Sequence, residues 1–141
     1  GTVPVWEGQI LLCRRAIEPR YGYWTLPAGF MENAETTIEA AARETLEEAL
    51  ADVTIEGLYS IIDVPHINQV HMFYRASLKD GQFGAGEESL ESRLFSPGEI
   101  PWDEISFPTV RKTLELFLID METERFGVHV SDIRHPMGKK A

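Results

Sequence analysis

The chain is 141 residues long and carries 23 Asp and Glu against 13 Lys and Arg, a net charge of −10. That balance excludes a general binder of nucleic acid or anionic membrane, which needs basic surface, but admits a small anionic substrate where a bound cation supplies positive charge. A hydrophobic share of 43% and a charged share of 26% exclude disorder and collagen-like repeats and fit one domain with a substantial core.

In chain order, Thr2 to Trp6 and Gln9 to Arg15 read as strands joined by the turn pair Glu7-Gly8. Gly1 runs straight into the first strand with no initiator Met, so a preceding segment of the natural protein is expected. The single cysteine, Cys13, can form no internal disulfide and points to a reduced, cytoplasmic setting. Apolar runs such as Leu116 to Ile119 are too short to span a bilayer, and no signal peptide is visible. Ala16 to Tyr23, with Pro19 and Gly22, reads as a loop. Trp24 to Pro27 is a short extended piece, because the residue before a proline is pushed away from helix. After a second loop, Gly29 to Glu35, either Thr36 or Thr37 caps a helix running to about Leu50.

Val53 to Val64 and Asn68 to Leu78 are strand-like, and the second has large side chains on both faces, as in a strand covered on both sides. Lys79 to Ser89 is glycine-rich and reads as a hairpin-like or active-site loop. Arg93 to Ser96 reads as a short strand. Phe107 to about Glu124 is a second helix with Val110, Leu114, Phe117, Leu118 and Met121 on one stripe. Residues 125–141, with Gly127, Pro136 and Gly138, read as a tail. The expectation is a single domain over 1–141 of the α/β (α+β) class, a mixed sheet flanked by two helices.

The first helix carries the chemistry. On a wheel of about 100° per residue, Glu47 and Glu48 fall within about 60° of Glu44, while Ile38, Ala42, Thr45 and Ala49 cluster on the far face. Three carboxylates at i, i+3 and i+4 repel one another and suit a hard divalent cation with oxygen ligands, Mg²⁺ or Mn²⁺. A solvated acidic face would look the same, and the surrounding spacing decides between them. Gly29 is followed by Glu35 after five residues, by Arg43-Glu44 after seven more, and then by Thr45-Leu46-Glu47-Glu48. At average residue usage such a match has odds on the order of one in ten million per window.

This spacing resembles the Nudix box, G-x5-E-x7-R-E-U-x-E-E-x-G-U with U aliphatic, and Trp24-Thr25-Leu26-Pro27-Ala28-Gly29 resembles its usual lead-in. The resemblance implies an α/β/α sandwich with a mixed sheet and Mg²⁺- or Mn²⁺-dependent hydrolysis of a nucleoside diphosphate linked to another group. Carried over by position, Glu44, Glu47, Glu48 and the Gly29 carbonyl are implied metal ligands. Arg43 belongs to the same catalytic cluster, with Glu35 as its structural partner. The base is implied to be Glu44 or a late-loop glutamate, Glu88 by position, with Glu87 and Glu91 competing. Two positions depart from the box: Thr45 replaces the aliphatic residue, and Leu50 replaces the final glycine. Leu resists the left-handed conformation that glycine adopts there, so a differently built helix exit is expected.

The run Tyr21 to Glu32 and the later Pro65 to Val70 resemble a subgroup of bacterial zinc-ribbon Nudix proteins and plant FAD and ADP-ribose pyrophosphatases. FAD and ADP-ribose therefore lead as expected substrates, giving AMP with FMN or ribose 5-phosphate. NADH, nucleoside triphosphates and a non-hydrolytic sensor are the alternatives. Tyr21, Tyr23 and Phe30 are candidates to stack on a ring or simply to pack. Arg15, with Arg14 and Arg20, is a candidate for phosphate. The expected partner is a small nucleotide, with no nucleic acid and no membrane; a homodimer is left open.

Overall fold

The computed structural model describes residues 1–134. Strands β1 (Thr2–Trp6), β2 (Gln9–Arg15) and β3 (Trp24–Thr25) precede helix α1 (Thr37–Ala49). Strands β4 (Val53–Val64), β5 (Gln69–Leu78) and β6 (Ser89–Phe95) follow, then α2 (Pro108–Thr123) and β7 (His129–Asp132). The described strands make one mixed sheet in the order β3-β2-β1-β5-β4-β7, with β6 paired to β2. The β1–β5 and β4–β7 pairs are parallel and the others antiparallel.

Alternation along β2 divides the interior in two, because successive side chains point to opposite faces. Ile10 and Leu12 join Trp24, Tyr59, Phe73, Leu114 and Phe117 under α2, whereas Leu11 and Cys13 join Ala49, Ala51, Val53 and Leu78 under α1. The result is the expected helix–sheet–helix sandwich. In β5, Phe73 and Tyr74 are buried on opposite faces, but the cover ends toward Val70, which is 58% exposed. Strand β6 is longer than the sequence suggests, since its first half is polar and pairs with the outer part of β2.

Thr36 is the N-cap of α1, in a capping box closed by Glu39. The wheel reading of this helix needs correction. Ile38 is 49% exposed, and the buried residues are Ala40, Ala41, Thr45 and Ala49. The loop after β3 covers the Glu44 flank, so the buried arc is rotated toward the carboxylates. Thr45, the departure from the aliphatic box position, is fully buried. Its hydroxyl donates to the Ala41 carbonyl (2.8 Å) and so accepts from the Thr2 hydroxyl (2.6 Å).

The exit of α1 also differs from expectation. Leu50 itself adopts the left-handed conformation (φ 48°, ψ 36°), its amide bonded to the Leu46 carbonyl, and its side chain is 53% exposed. The chain keeps the backbone geometry of a glycine exit without the glycine. Leu50→Gly is therefore expected to stabilise the fold by about 1 kcal/mol, the order of the left-handed cost for an L-residue, with turnover within twofold of the parent. Chemical denaturation checks this; a loss of stability would mean that packing of Leu50 against Gly84 outweighs the strain.

In α2, Val110, Leu114 and Phe117 are buried as expected, and Leu118 and Met121 pack on the same core. The segment read as a tail contributes β7, which extends the sheet beside β4. Asp120 of α2 fastens it: the Tyr59 hydroxyl donates to Asp120 Oδ2 (2.6 Å), and His129 Nε2 lies 2.8 Å from the same oxygen. Burial would raise the Asp120 carboxyl, but these two hydrogen bonds outweigh it and hold the group below its ordinary range. Pro136 and Gly138 lie outside the described residues. No described helix is long and apolar enough to cross a membrane.

Candidate active site

The loop from β3 to α1 folds back on the helix through Arg43. Its Nε and Nη2 donate to the two oxygens of Glu35 (2.6 and 3.1 Å), and Nη2 also donates to the Phe30 carbonyl (3.1 Å). Nη1 reaches Glu44 (3.1 Å) and Glu47 (3.2 Å). One planar fork thus ties the loop to two helix carboxylates, a task for which guanidinium geometry is suited. Glu35 also accepts from the Glu32 amide (2.8 Å), and hydrogen bonds from Arg43 first, then from this amide, hold its carboxyl below the ordinary range.

Gly29 lies against Glu44. A Cβ at this position would collide with the Glu44 carboxyl, so any larger residue there would have to push that carboxylate out of its place. Glu48 is held from the same loop, its Oε1 accepting from the Ala28 amide (3.1 Å). Burial pushes the Glu48 carboxyl up to about 8 in spite of that bond, with the Glu44 charge adding to the effect. Burial also raises Glu44, against the opposing pull of Arg43. The sequence places Glu47 and Glu48 together on an exposed face. Instead, Glu47 is 57% exposed and paired with Arg43, whereas Glu48 is turned inward.

Glu88 lies near enough to Glu48 for its charge to act on the Glu48 carboxyl. The two, with Arg15, Cys13, Thr25 and Ser89, line one cleft. The structure thereby separates the three late-loop glutamates. Glu91 is drawn to Arg14 (3.4 Å), and of the two exposed glutamates Glu87 and Glu88, Glu88 lines the cleft. Arg15 donates from Nε to the Pro19 carbonyl (2.8 Å) and stacks over Phe107 at 5.0 Å, which braces its guanidinium beside the cleft. Of the aromatic candidates, Phe30 is 78% and Tyr21 53% exposed, and Tyr23 carries the Arg20 guanidinium over its ring at 5.0 Å. His71 has both ring nitrogens engaged within the fold, with the Thr109 hydroxyl (2.8 Å) and the Gln69 side chain (2.7 Å). The Ala28 amide and Ser89 were not singled out by the sequence, because backbone donors and a lone serine leave no pattern.

Among the described residues, no three Asp, Glu, His or Cys side chains already converge as a metal shell; Arg43 holds Glu47 and the Ala28 amide holds Glu48. The donor chemistry nevertheless fits a hard dication. Glu44 and Glu48 are partly buried carboxylates whose burial disfavours their charged form, Glu47 is a third within one turn, and all three are oxygen donors.

A family model described as the NUDIX domain matches residues 2–117. An ADP-ribose pyrophosphatase of Methanocaldococcus jannaschii is 30% identical over 99 residues, which are 67% of this chain and 59% of that protein. An 8-oxo-(d)GTP phosphatase of Mycolicibacterium smegmatis is 28% identical over 102 residues, 71% of this chain and 31% of the longer relative. The chain thus spans less than two-thirds of either relative. The crystal structure of a NUDIX hydrolase from Nitrosomonas europaea superposes with a TM-score of 0.93 at 49% identity, covering 96% of this chain and 77% of that one.

Proposed function

The chain belongs to the NUDIX domain family, and from that premise we propose that it hydrolyses the phosphoric anhydride of a nucleoside diphosphate linked to a second group, with ADP-ribose first and FAD second. One observation carries the hydrolytic reading: the intact carboxylate set, with Glu44 and Glu47 held by Arg43, Glu48 held by the Ala28 amide, and Glu88 and Arg15 lining the same cleft as Glu48. Sensors built on this fold commonly lose box glutamates, and here every one is present.

Glu44, Glu47, Glu48 and the Gly29 carbonyl would hold Mg²⁺ or Mn²⁺, which when bound neutralises the diphosphate and activates water. The chain's own residues do the rest. The Ala28 amide fixes the Glu48 carboxylate. Arg43 keeps loop and helix in register, so that Gly29 and the Glu44 carboxyl stay close to one another. Arg15, braced on Phe107, offers a guanidinium to a phosphate oxygen. Glu44 or Glu88 accepts the proton of the attacking water. The products are AMP and ribose 5-phosphate, or AMP and FMN. The proposed setting is cytoplasmic, on the strength of the lone, buried Cys13.

The relatives point to two substrate classes. ADP-ribose is supported by the name of the archaeal relative and by the exposed Tyr21 and Phe30 on the loops around the box. Charge supports it too, since a triphosphate brings more negative charge to an acidic site. The mycobacterial relative favours an oxidised purine triphosphate as the second reading. The test compares kcat/KM for ADP-ribose, FAD, NADH, dGTP and 8-oxo-dGTP at saturating Mg²⁺ and again with Mn²⁺. ADP-ribose is expected to lead by at least tenfold, with AMP as product. Preference for either triphosphate, with release of pyrophosphate, would replace the first reading by the second.

A further inference from the structure

A helix leaves its last carbonyls without intrahelical partners. In α1 two of them, on Glu48 and Ala49, are taken up by the glycine-rich segment that precedes β6. The Gly84 amide donates to the Ala49 carbonyl (2.7 Å). The Gly86 amide (3.1 Å) and the Ser89 hydroxyl (2.8 Å) both donate to the Glu48 carbonyl, and Cys13 Sγ lies 3.8 Å from it. The approach is so close that a Cβ at Gly86 would run into the Glu47 carbonyl. The segment closes on itself through the Ser89 amide and the Gly86 carbonyl (3.0 Å), and the Ala16 amide holds the Glu88 carbonyl (2.9 Å).

Glu88 is therefore flanked by two residues that grip the backbone of Glu48, whose cleft it shares. We propose that Ser89 is a positioning residue: its hydroxyl, with the Gly86 amide, fixes Glu88 against Glu48 so that the two carboxylates act as one unit. This rests on the hydrolytic reading of the site and assigns Ser89 no contact with substrate. The physical reason is economy of motion. The other donors on the Glu48 carbonyl are an amide and a weakly donating thiol, so the hydroxyl supplies the short bond that stops the segment sliding along the end of the helix. A side chain that orients a reacting group through one hydrogen bond typically contributes about 10–100-fold.

The test is a double-mutant cycle on the full chain with Ser89→Ala, Glu88→Gln and both together, plus Ser89→Thr, which keeps the hydroxyl. Turnover of ADP-ribose and binding of Mn²⁺ alone are measured for each. Ser89→Ala is expected to lower kcat about tenfold with KM within twofold, Ser89→Thr to recover most of that loss, and Ser89→Ala to cost nothing further in the Glu88→Gln background. Full additivity of the two changes, or an undiminished kcat in Ser89→Ala, overturns the proposal. If the parent hydrolyses none of the nucleotides, the proposed function fails and the Mn²⁺ cycle decides the role of Ser89 by the same criterion. A parent that neither turns over nor binds Mn²⁺ overturns both.

Discussion

Glu48→Gln should reduce metal-dependent kcat by roughly three orders of magnitude while leaving the metal-free protein more stable at pH 8 than its parent. The first half follows from chemistry. Glu48 is a carboxylate held by the Ala28 amide at the inner end of the cluster, and charge stabilisation by a bound metal contributes several kcal/mol, or roughly 10³ in rate. Glutamine keeps the shape and still accepts from Ala28, so the loss reports charge and ligation. Full activity in this variant would remove Glu48 from the ligand set.

The second half follows from proton linkage. Burial raises the folded carboxyl from 4.5 to about 8. Between those limits the folded chain binds more protons than the unfolded one, so stability falls as pH rises through the window and is lowest above it. At roughly 1.4 kcal/mol per tenfold change in proton affinity, the effect is on the order of a few kcal/mol. Glutamine carries no such penalty. Thermal unfolding in chelator should therefore show the variant ahead at pH 8 and level with the parent near pH 4.5. Added Mn²⁺ should raise the melting temperature of the parent at pH 8 and leave the variant nearly unmoved. Equal pH dependence in both proteins would contradict the burial of this group.

Most of the fold was legible because its signals are local. The Glu7-Gly8 turn, Pro27 and the N-cap threonine at the start of α1 each act within a few residues, and the strands and helix between them fall where those residues place them. What eluded the sequence depends on contacts distant along the chain. The wheel gathers the carboxylates of α1 but cannot show that the loop at Ala28 and Gly29 covers one flank, which turns Glu48 inward and leaves Ile38 in solvent. Strand β7 is short and half-exposed, and it is recruited by Asp120 and Tyr59 through His129 rather than by an apolar pattern of its own. Spacing leaves Glu87, Glu88 and Glu91 equivalent. They are separated by the turn closed between Gly86 and Ser89 and by a bulge opposite Arg14 and Arg15.

Arg43→Met should lower kcat/KM by roughly 10²-fold, and Arg43→Lys should recover little of it. Arg43 is 21% exposed and makes bonds in three directions, to Glu35, to the helix pair Glu44 and Glu47, and to the Phe30 carbonyl. Lysine restores the charge but presents a single compact head that cannot serve all three at once. Without the fork, Glu35, whose side chain is 12% exposed, loses its partner, and Glu44 and Glu47 lose the charge that tempers their mutual repulsion. Among the described residues, the side-chain hydrogen bond that then still ties the loop carrying Ala28 and Gly29 to α1 is the one to Glu48, and a shift of about 1 Å at a reacting centre is enough to cost about 10²-fold. The loss should appear in kcat more than in KM, because Arg15, the residue proposed to meet the phosphate, is untouched. It should also shrink when metal is raised, since a dication partly replaces the missing positive charge. Metal titrations of parent, Arg43→Lys and Arg43→Met measure both effects. Full rescue by lysine would show that Arg43 acts as a charge alone, and that the geometry of its fork is dispensable.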